Sequence, residues 1–283
     1  MELFKYFPPS RIDVLENKRI CFSMAKNFND PFEMKPPMVL YDNDQSMCAA
    51  FEALMPQVVE EEYAKLAPEL RSTINPERFQ SLMIEIVKKQ LPIMIPAWRE
   101  LEPLLSSSLH ERIHSITGIL CLTESNDNLL MWAHYGMSHT GYVVGFDASH
   151  HFFNRRRTEF DEFYHVRQVR YSDERPRMVL SQAEDLSAFL TKSQHWAYER
   201  EWRMLIPLSA ANEVLDDGTK HYHLFDYPVE CVQSIYLGCR ISQSDRAKIL
   251  DLISRDKEFH HVQCYQAEIN YRYFRLDFVS IGL

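Results

Sequence analysis

One segment of the chain, Trp196–Arg203, brings acidic and aromatic side chains close together. If the segment is extended, its side chains alternate between two faces, so Glu199 and Glu201 lie on the same face. Two carboxylates at that spacing raise each other's pKa or together stabilise a sugar cation. If the segment is helical, Glu199 instead lies four residues before Arg203 and forms an ordinary surface ion pair. The pattern alone leaves both conformations open.

A second segment, Met131–Gly136, contains Trp132, His134 and Tyr135. Large rings with polar edges are typical of a pocket wall that stacks against a base or a nicotinamide ring. The same composition is typical of a helix buried against a sheet, where a lone histidine is more often a satisfied core residue than a catalyst. Both interpretations predict a helix near Asn128–Tyr135.

A third segment, Phe28–Glu33, places an asparagine and an aspartate directly before a proline. Such a sequence predicts a turn, because both side chains can bond to nearby backbone amides. The turn is expected to be mainly structural, since its two phenylalanines fix it to the core. In the alternative interpretation, Asn29 or Asp30 contacts a ligand at the end of the strand that contains Ser23.

Composition and missing motifs disfavour several classes of protein. The chain has 283 residues, of which 46% are hydrophobic, so it is long enough to form a full core. Its 31 Lys and Arg against 40 Asp and Glu give a net charge of -9, which argues against general coating of nucleic acid or anionic membrane. The sequence has no G-x-G-x-x-G, Walker A, H-E-x-x-H or G-x-S-x-G motif. Rossmann and P-loop enzymes, a metal site and a hydrolase triad are therefore not expected.

The six cysteines are scattered, and no two of them have Cys-x-x-Cys spacing. We interpret them as buried reduced thiols, which are typical of a cytoplasmic protein. The N-terminus lacks the features of a signal peptide, and no apolar run approaches the roughly 18 residues of a membrane span. The sequence therefore predicts a cytoplasmic location and no membrane partner.

Most of the chain alternates irregularly between strands and helices, which predicts an α+β fold with a mixed sheet core. Between residues 44 and 112, apolar residues recur at helical spacing, and six prolines are expected to divide this block into several helices. We predict one domain over residues 1–283, with a helical insertion at 44–114. The predicted strands are Leu3–Phe7, Arg19–Ser23, Gly118–Thr123, Gly141–Asp147, Val166–Tyr171, Arg203–Pro207, Val232–Leu237, Val262–Glu268 and Phe274–Ser280. The other predicted helices are Ser10–Asn17, Ser181–Ser193 and Ser242–Asp256, the first and last with capping boxes.

The order of these motifs resembles an uncharacterised bacterial family, domain of unknown function 2971. The resemblance is carried by Ile-Cys-Phe-Ser, Phe-Asn-Asp-Pro-Phe-Glu, Met-Trp-Ala-His-Tyr-Gly and Trp-Ala-Tyr-Glu-Arg-Glu-Trp-Arg, and it covers about residues 3 to 240. The name of the family implies no activity.

The tripeptide Glu199-Arg200-Glu201 looks like the Glu-x-Glu signature of ADP-ribosyltransferases. The second glutamate of that signature contacts the nicotinamide ribose, and the first orients the acceptor. This resemblance implies an NAD-consuming enzyme, of the kind found among bacterial toxins and defence effectors, and an ADP-ribosyltransferase-like fold. Glu201 would be the catalytic carboxylate and Glu199 its partner.

The same resemblance implies a set of residues that bind NAD, with no metal ion. Such enzymes usually carry an Arg or His on the first strand, where this chain has Lys5. Ser23 would lie beneath the nicotinamide, and Tyr135 would form a stacking wall. The partners would be a small-molecule nucleotide and a protein or nucleic-acid acceptor. The expected binding residues are Lys5, Ser23, Asn29, Asp30, Trp132, His134 and Tyr135.

Two other functions remain open from the sequence. One is a non-catalytic binding or regulatory module in which the motifs hold the fold and the helical surface at 44–112 recruits a partner. The other is a nucleic-acid-processing enzyme that uses the arginines of Arg155–Arg177 for phosphates and His134 with Glu201 for acid/base chemistry. Acidic residues nearly balance those arginines, so a solvated face is the simpler interpretation of the stretch.

Overall fold

The computed structural model describes residues 1–182 and 186–282. The described residues divide into two compact units, one made of 1–35, 112–175 and 186–282 and the other of 36–111 and 176–182. The first unit contains a large mixed sheet, which confirms the predicted α+β fold. A single domain with an insertion at 44–114 stays a prediction. No helix in the described residues is both long enough and apolar enough to cross a membrane.

The elements are as follows in chain order. The strands are β1 (Glu2–Phe7), β2 (Arg19–Met24), β3 (Met38–Val39), β4 (Thr117–Thr123), β5 (Tyr142–Asp147), β6 (Val166–Gln168), β7 (Arg170–Ser172), β8 (Met178–Val179), β9 (Thr191–Ser193), β10 (Glu201–Pro207), β11 (Glu213–Asp216), β12 (His221–Asp226), β13 (Val232–Leu237), β14 (Gln263–Ile269) and β15 (Leu276–Ile281). The α-helices are α1 (Asp13–Glu16), α2 (Asp44–Lys65), α3 (Pro68–Thr73), α4 (Pro76–Ile116), α5 (Leu129–His134) and α6 (Gln243–Arg255). Short 3₁₀ turns include Ala25–Asn27 and Gln194–Glu199.

The large sheet has the strand order β11-β12-β2-β4-β1-β5-β13-β14-β15, with β10 paired to β4 and β6 paired to β10. Among the described residues, paired strands of this sheet are antiparallel except β13 with β14, which α6 joins as a crossover connection. Helix α6 buries Ile249 and Ile253 in the core, and the Ser242 side chain caps its first turn by accepting a hydrogen bond from the Asp245 amide. The Ser242 half of the predicted capping box is thus confirmed, whereas the Asp245 carboxylate accepts a hydrogen bond from the Ser242 hydroxyl and not from its amide.

Strand β4 has an uneven set of neighbours. On one edge it pairs with β10 along its full length. On the other edge it pairs with β2 at Gly118 and Ile119 and with β1 at Thr123. Among the described strands, none pairs with Leu120–Leu122 on that second edge. The sheet therefore has a gap in which β1 and β2 diverge from the middle of β4.

The helical block at 44–112 is less divided than predicted. The prolines at 56, 92, 96 and 103 lie inside helices α2 and α4, and only Pro68 and Pro76 stand at helix starts. The block does form several helices, α2, α3 and α4, as predicted, but four of the six prolines do not divide it, because one proline removes a single backbone donor and the rest of the helix continues through it. In this unit Leu91 and Ile95 pack with Met47 in one buried cluster.

Three other predictions of local structure need correction. The predicted strand Val166–Tyr171 is two strands that pair with different partners, β10 and β9. The described part of Ser181–Ser193 forms 3₁₀ turns and β9, while residues 183–185 lie outside the described residues. The Ser10 capping box does not form, because the carboxylate of Asp13 instead accepts hydrogen bonds from the Arg11 side chain.

Candidate functional site

A cavity of about 340 Å³ lies at the gap beside β4. Strands β1, β2 and β4 each contribute residues to its wall, and so do α5 and the segment that leads into β10. Its charged, hydroxyl and amide side chains include Lys5, Ser23, Asn29, Glu33, Tyr135, Lys192, Glu199 and Glu201.

The acidic pair lies at a sharp change of backbone direction. The 3₁₀ turn ends at Glu199, Arg200 is left-handed with φ 44° and ψ 52°, and β10 begins at Glu201. Both carboxylates bind one ammonium group, since Lys192 Nζ lies 2.6 Å from Glu199 Oε2 and 3.2 Å from Glu201 Oε2. The segment is thus neither a simple strand nor a helix, but its two glutamates do face the same cavity.

Arg203 lies behind Glu201 and is completely buried. Its Nε donates to Glu201 Oε1 at 2.7 Å and its Nη2 to Glu201 Oε2 at 2.8 Å. Nη2 also donates to Glu33, and Nη1 donates to the carbonyl of Phe189 at 3.2 Å. The surface pair that a helical segment would form between Glu199 and Arg203 is replaced by these buried contacts.

The cluster formed by Glu33, Glu199, Glu201, Lys192 and Arg203 contains three carboxylates and two cations, all buried. Burial raises the pKa of Glu201, although the ammonium of Lys192 opposes that shift. Burial alone would lower the pKa of Lys192, but its carboxylate neighbours outweigh burial and raise it. Burial lowers the pKa of Arg203 to about 9, so the guanidinium stays charged at neutral pH. The cluster is therefore a set of mutually dependent ion pairs.

Glu199 has a neutral partner as well as a charged one. The Tyr135 hydroxyl donates to Glu199 Oε1 at 2.6 Å, while Lys192 occupies the other oxygen. Burial raises the pKa of Tyr135, and the charge of Glu199 raises it further, so the phenol keeps its proton. Both oxygens of Glu201, in contrast, accept hydrogen bonds from cations. Glu199 thus keeps more of its negative charge free to act on a ligand.

Lys5 fills part of the gap in the sheet. Its Nζ donates to the backbone carbonyl of Cys121 on β4 at 3.0 Å, where a neighbouring strand would otherwise bond. Burial lowers the pKa of Lys5. In the described part of the chain, no carboxylate oxygen lies within 4.0 Å of this ammonium. The Cys121 thiol also lines the cavity, but burial raises its pKa well above the usual value, which does not suit a nucleophile.

The sequence resembles the family described as Protein of unknown function (DUF2971) over residues 131–204. The match confirms the predicted resemblance over a shorter range than 3 to 240. No curated protein and no solved structure matches the chain.

The segment that matches DUF2971 contains most of the polar cluster. It starts on α5, ends in β10, and includes Tyr135, Lys192, Glu199, Glu201 and Arg203. The cavity residues on β1 and β2 lie before the segment, so the fold completes the site from outside the matched range.

Helix α5, at the start of the DUF2971 segment, places Tyr135 beside Glu199. Its N-cap is Asn128, whose Oδ1 accepts hydrogen bonds from the amides of Leu130 and Met131. The Asn128 Nδ2 donates to the carbonyl of Tyr198 at 3.1 Å. One amide side chain therefore both starts the helix and ties it to the segment that carries the acidic pair.

Replacing Asn128 by alanine is expected to lower the free energy of unfolding by about 1–2 kcal/mol, as loss of a helix cap does. The helix would also lose its tie to Tyr198, so ligand affinity at the cavity should fall. Urea denaturation measures the free energy of unfolding, and titration with NAD, the ligand expected from the sequence, measures the affinity. Ser242→Ala is the matched control, because it removes the cap of α6 away from the cavity. Equal ligand affinity in both variants would contradict the positioning role of Asn128.

Six of the nine predicted site residues line the cavity, and three do not. Asp30 is buried, and its carboxylate accepts the Phe32 amide, so it shapes the turn. Trp132 is fully buried and donates its Nε1 hydrogen to the carbonyl of Asn126. His134 is exposed, and its Nδ1 lies 3.0 Å from the Tyr198 hydroxyl. The six that line it are Lys5, Ser23, Asn29, Tyr135, Glu199 and Glu201.

Three residues of the cluster were not predicted as site residues. Lys192 lies in no motif, and nothing in its immediate sequence indicates a buried ammonium. Glu33 and Arg203 are the last residues of two segments singled out in the sequence, and that position was the signal that could have identified them as site residues. Among the described residues, no three His, Cys, Asp or Glu side chains are placed so that they could hold a metal ion.

Proposed function

We propose that the chain is an NAD-consuming enzyme of the ADP-ribosyl-transferring kind and that the cavity beside β4 is its active site. The observation that carries the proposal is that both glutamates of Glu-x-Glu line one cavity together with Tyr135. The volume of about 340 Å³ lies in the range of small-molecule sites and suits the nicotinamide riboside half of the substrate. Ser23 and Asn29 add polar groups that fit a carboxamide or a ribose hydroxyl.

The proposed reaction breaks the bond between the nicotinamide nitrogen and the ribose C1′. The nicotinamide leaves as a neutral base with the bonding electrons, so positive charge develops on the ribose. A nucleophile from water or an acceptor then bonds to C1′ and loses its proton. A fixed carboxylate stabilises the developing cation, and its effect is largest in a cavity that excludes water.

The hydrogen bonds support an exchange of the roles expected from the sequence. Glu201 shares both oxygens with Arg203 and Lys192, which reduces the negative charge it presents to a ligand. Glu199 shares one oxygen with the neutral Tyr135 hydroxyl. We therefore assign the cation-stabilising role to Glu199, and we assign to Glu201 the positioning of Lys192.

Lys5 is assigned to the phosphates of the substrate. The half-buried ammonium of Lys5 donates to a backbone carbonyl, and it gains a stronger partner when a phosphate oxygen comes within reach. In this arrangement the phosphates of NAD lie near Lys5 on β1, and its cationic nicotinamide ring lies near the glutamates.

The test uses NAD labelled in the nicotinamide ring. Wild-type protein is expected to bind NAD in calorimetry and to release labelled nicotinamide, with or without added protein or nucleic-acid acceptors. Ser23→Phe places a ring in the cavity and should abolish both, whereas Ser254→Phe, at an exposed site on α6, should change neither. Absence of both binding and release by the wild type across these acceptors would refute the proposal.

A further inference from the structure

The turn between β14 and β15 presents aromatic rings to solvent. Tyr271 and Phe274 have 105% and 102% of the reference exposure, and Tyr273 has 57%. Large rings that stay in water forgo the stabilisation that burial would give, so a cluster of them commonly marks a binding surface.

Side-chain hydrogen bonds of Asn270 fix the backbone of the turn that carries these rings. The Asn270 Oδ1 accepts the amides of Arg272 and Tyr273 at 2.8 and 2.7 Å. The Asn270 Nδ2 donates to Asp277 at 2.5 Å. Paired strands flank the turn, with Ile269 opposite Leu276. The backbone that carries the rings is thus fixed in the protein alone, without a bound partner.

Two arginines are interspersed among the rings, in the order Tyr271-Arg272-Tyr273-Phe274-Arg275. Arg240 lines the same groove of about 460 Å³ from the segment after β13. Arg275 pairs with Asp277 at 3.2 Å. Within residues 1–182 and 186–282, no carboxylate oxygen lies within 4.0 Å of the guanidinium of Arg240 or Arg272. The surface is therefore locally basic in a chain whose net charge is -9.

We propose that this turn and its groove bind single-stranded nucleic acid. Bases would stack on Tyr271 and Phe274, and phosphates would pair with Arg240 and Arg272. A single strand fits better than a duplex, because exposed rings need base faces that are not already stacked. It also fits better than a protein partner, because among the described residues Arg240 and Arg272 have no carboxylate within 4.0 Å, which leaves two cations available to phosphates beside the rings. The proposal does not depend on the reaction proposed above.

The test is fluorescence anisotropy with labelled 12-nucleotide RNA and DNA strands of mixed sequence, titrated at several salt concentrations. Wild type should bind, and its affinity should fall linearly with salt on logarithmic axes. Tyr271→Ala with Phe274→Ala should weaken binding at least tenfold, as loss of base stacking does. Arg240→Ala with Arg272→Ala removes two phosphate contacts and should reduce the salt slope by about 1.4.

The controls are Phe160→Ala, which removes another highly exposed ring, and Arg255→Ala, which removes another exposed arginine. Both should bind like the wild type. Binding of either RNA or DNA supports the proposal, and a preference for one of them identifies the strand. No binding at low salt, equal affinity for a duplex of the same length, binding to anionic lipid vesicles alone, or full affinity in the ring variant would each overturn it.

Discussion

Arg203→Met is expected to lower the free energy of unfolding by about 3–5 kcal/mol, the usual cost of removing one partner from a buried ion pair. The guanidinium is completely buried and donates to both oxygens of Glu201 and to Glu33. Methionine fills much of the space but leaves the buried carboxylates of Glu33 and Glu201 with Lys192 as the one cation within 4.0 Å among the described residues. Urea denaturation of the purified variant measures the loss.

The loss from Arg203→Met should also depend on pH. Burial already raises the pKa of Glu201 in the wild type, and removal of a cation raises it further. A raised folded-state pKa means that the native state holds protons that the unfolded state has released. Stability therefore falls as pH rises from the ordinary glutamate value of 4.5 through the folded-state pKa. The variant should lose more stability at pH 8 than at pH 5.

Arg255→Met is the matched control for Arg203→Met, because Arg255 also pairs with a carboxylate, that of Asp251, but at the surface. Surface pairs contribute about 0–1 kcal/mol, so this variant should be nearly as stable as the wild type. If the two variants lost equal free energy of unfolding, the buried cluster would stabilise the fold no more than a surface ion pair does.

Glu199→Gln is expected to lower the rate of nicotinamide release about 10²–10³-fold, the usual effect of removing one group that stabilises a transition-state charge. Its effect on stability should be smaller than that of Glu201→Gln. In Glu199→Gln, Lys192 keeps Glu33 and Glu201 as partners. In Glu201→Gln, Lys192 and Arg203 both lose a carboxylate, so turnover and the free energy of unfolding should fall together.

Both glutamate variants are measured by single-turnover kinetics and urea denaturation, with Glu268→Gln, an exposed position on β14, as the control. The exchange of roles fails if Glu199→Gln keeps full turnover while Glu201→Gln loses turnover at unchanged stability. If the wild type shows no reaction with NAD, the proposed activity is refuted. The difference in the free energy of unfolding between the two variants still tests whether Glu201 stabilises the buried cluster more than Glu199 does.

The sequence predicted most strands because apolar runs and period-two alternation are local properties. β13 was placed correctly, and β1, β4 and β5 were placed within one residue at either end. The strands β11 and β12 were missed, because they are polar and pair at the edge of the sheet. The acidic pair was predicted to share a face, and both glutamates do line one cavity.

The rest of the site depends on contacts between distant parts of the chain. Lys192 and Glu33 meet although 159 positions separate them, and no local pattern encodes that meeting. The placement of Lys5 likewise depends on how β1 and β2 diverge from β4. Local sequence indicated which residue types could act, whereas tertiary pairing decided which of them became neighbours.

The gap beside β4 also affects how a ligand can enter. Its strand walls have paired outer edges, β1 with β5 and β4 with β10, so on this side the cavity cannot widen without sliding whole ladders. Rotation of side chains such as Tyr135 and Lys5 is then the cheaper motion. A site built in this way selects ligands by fit to a stiff frame, and its backbone should superpose closely between the empty and the occupied protein.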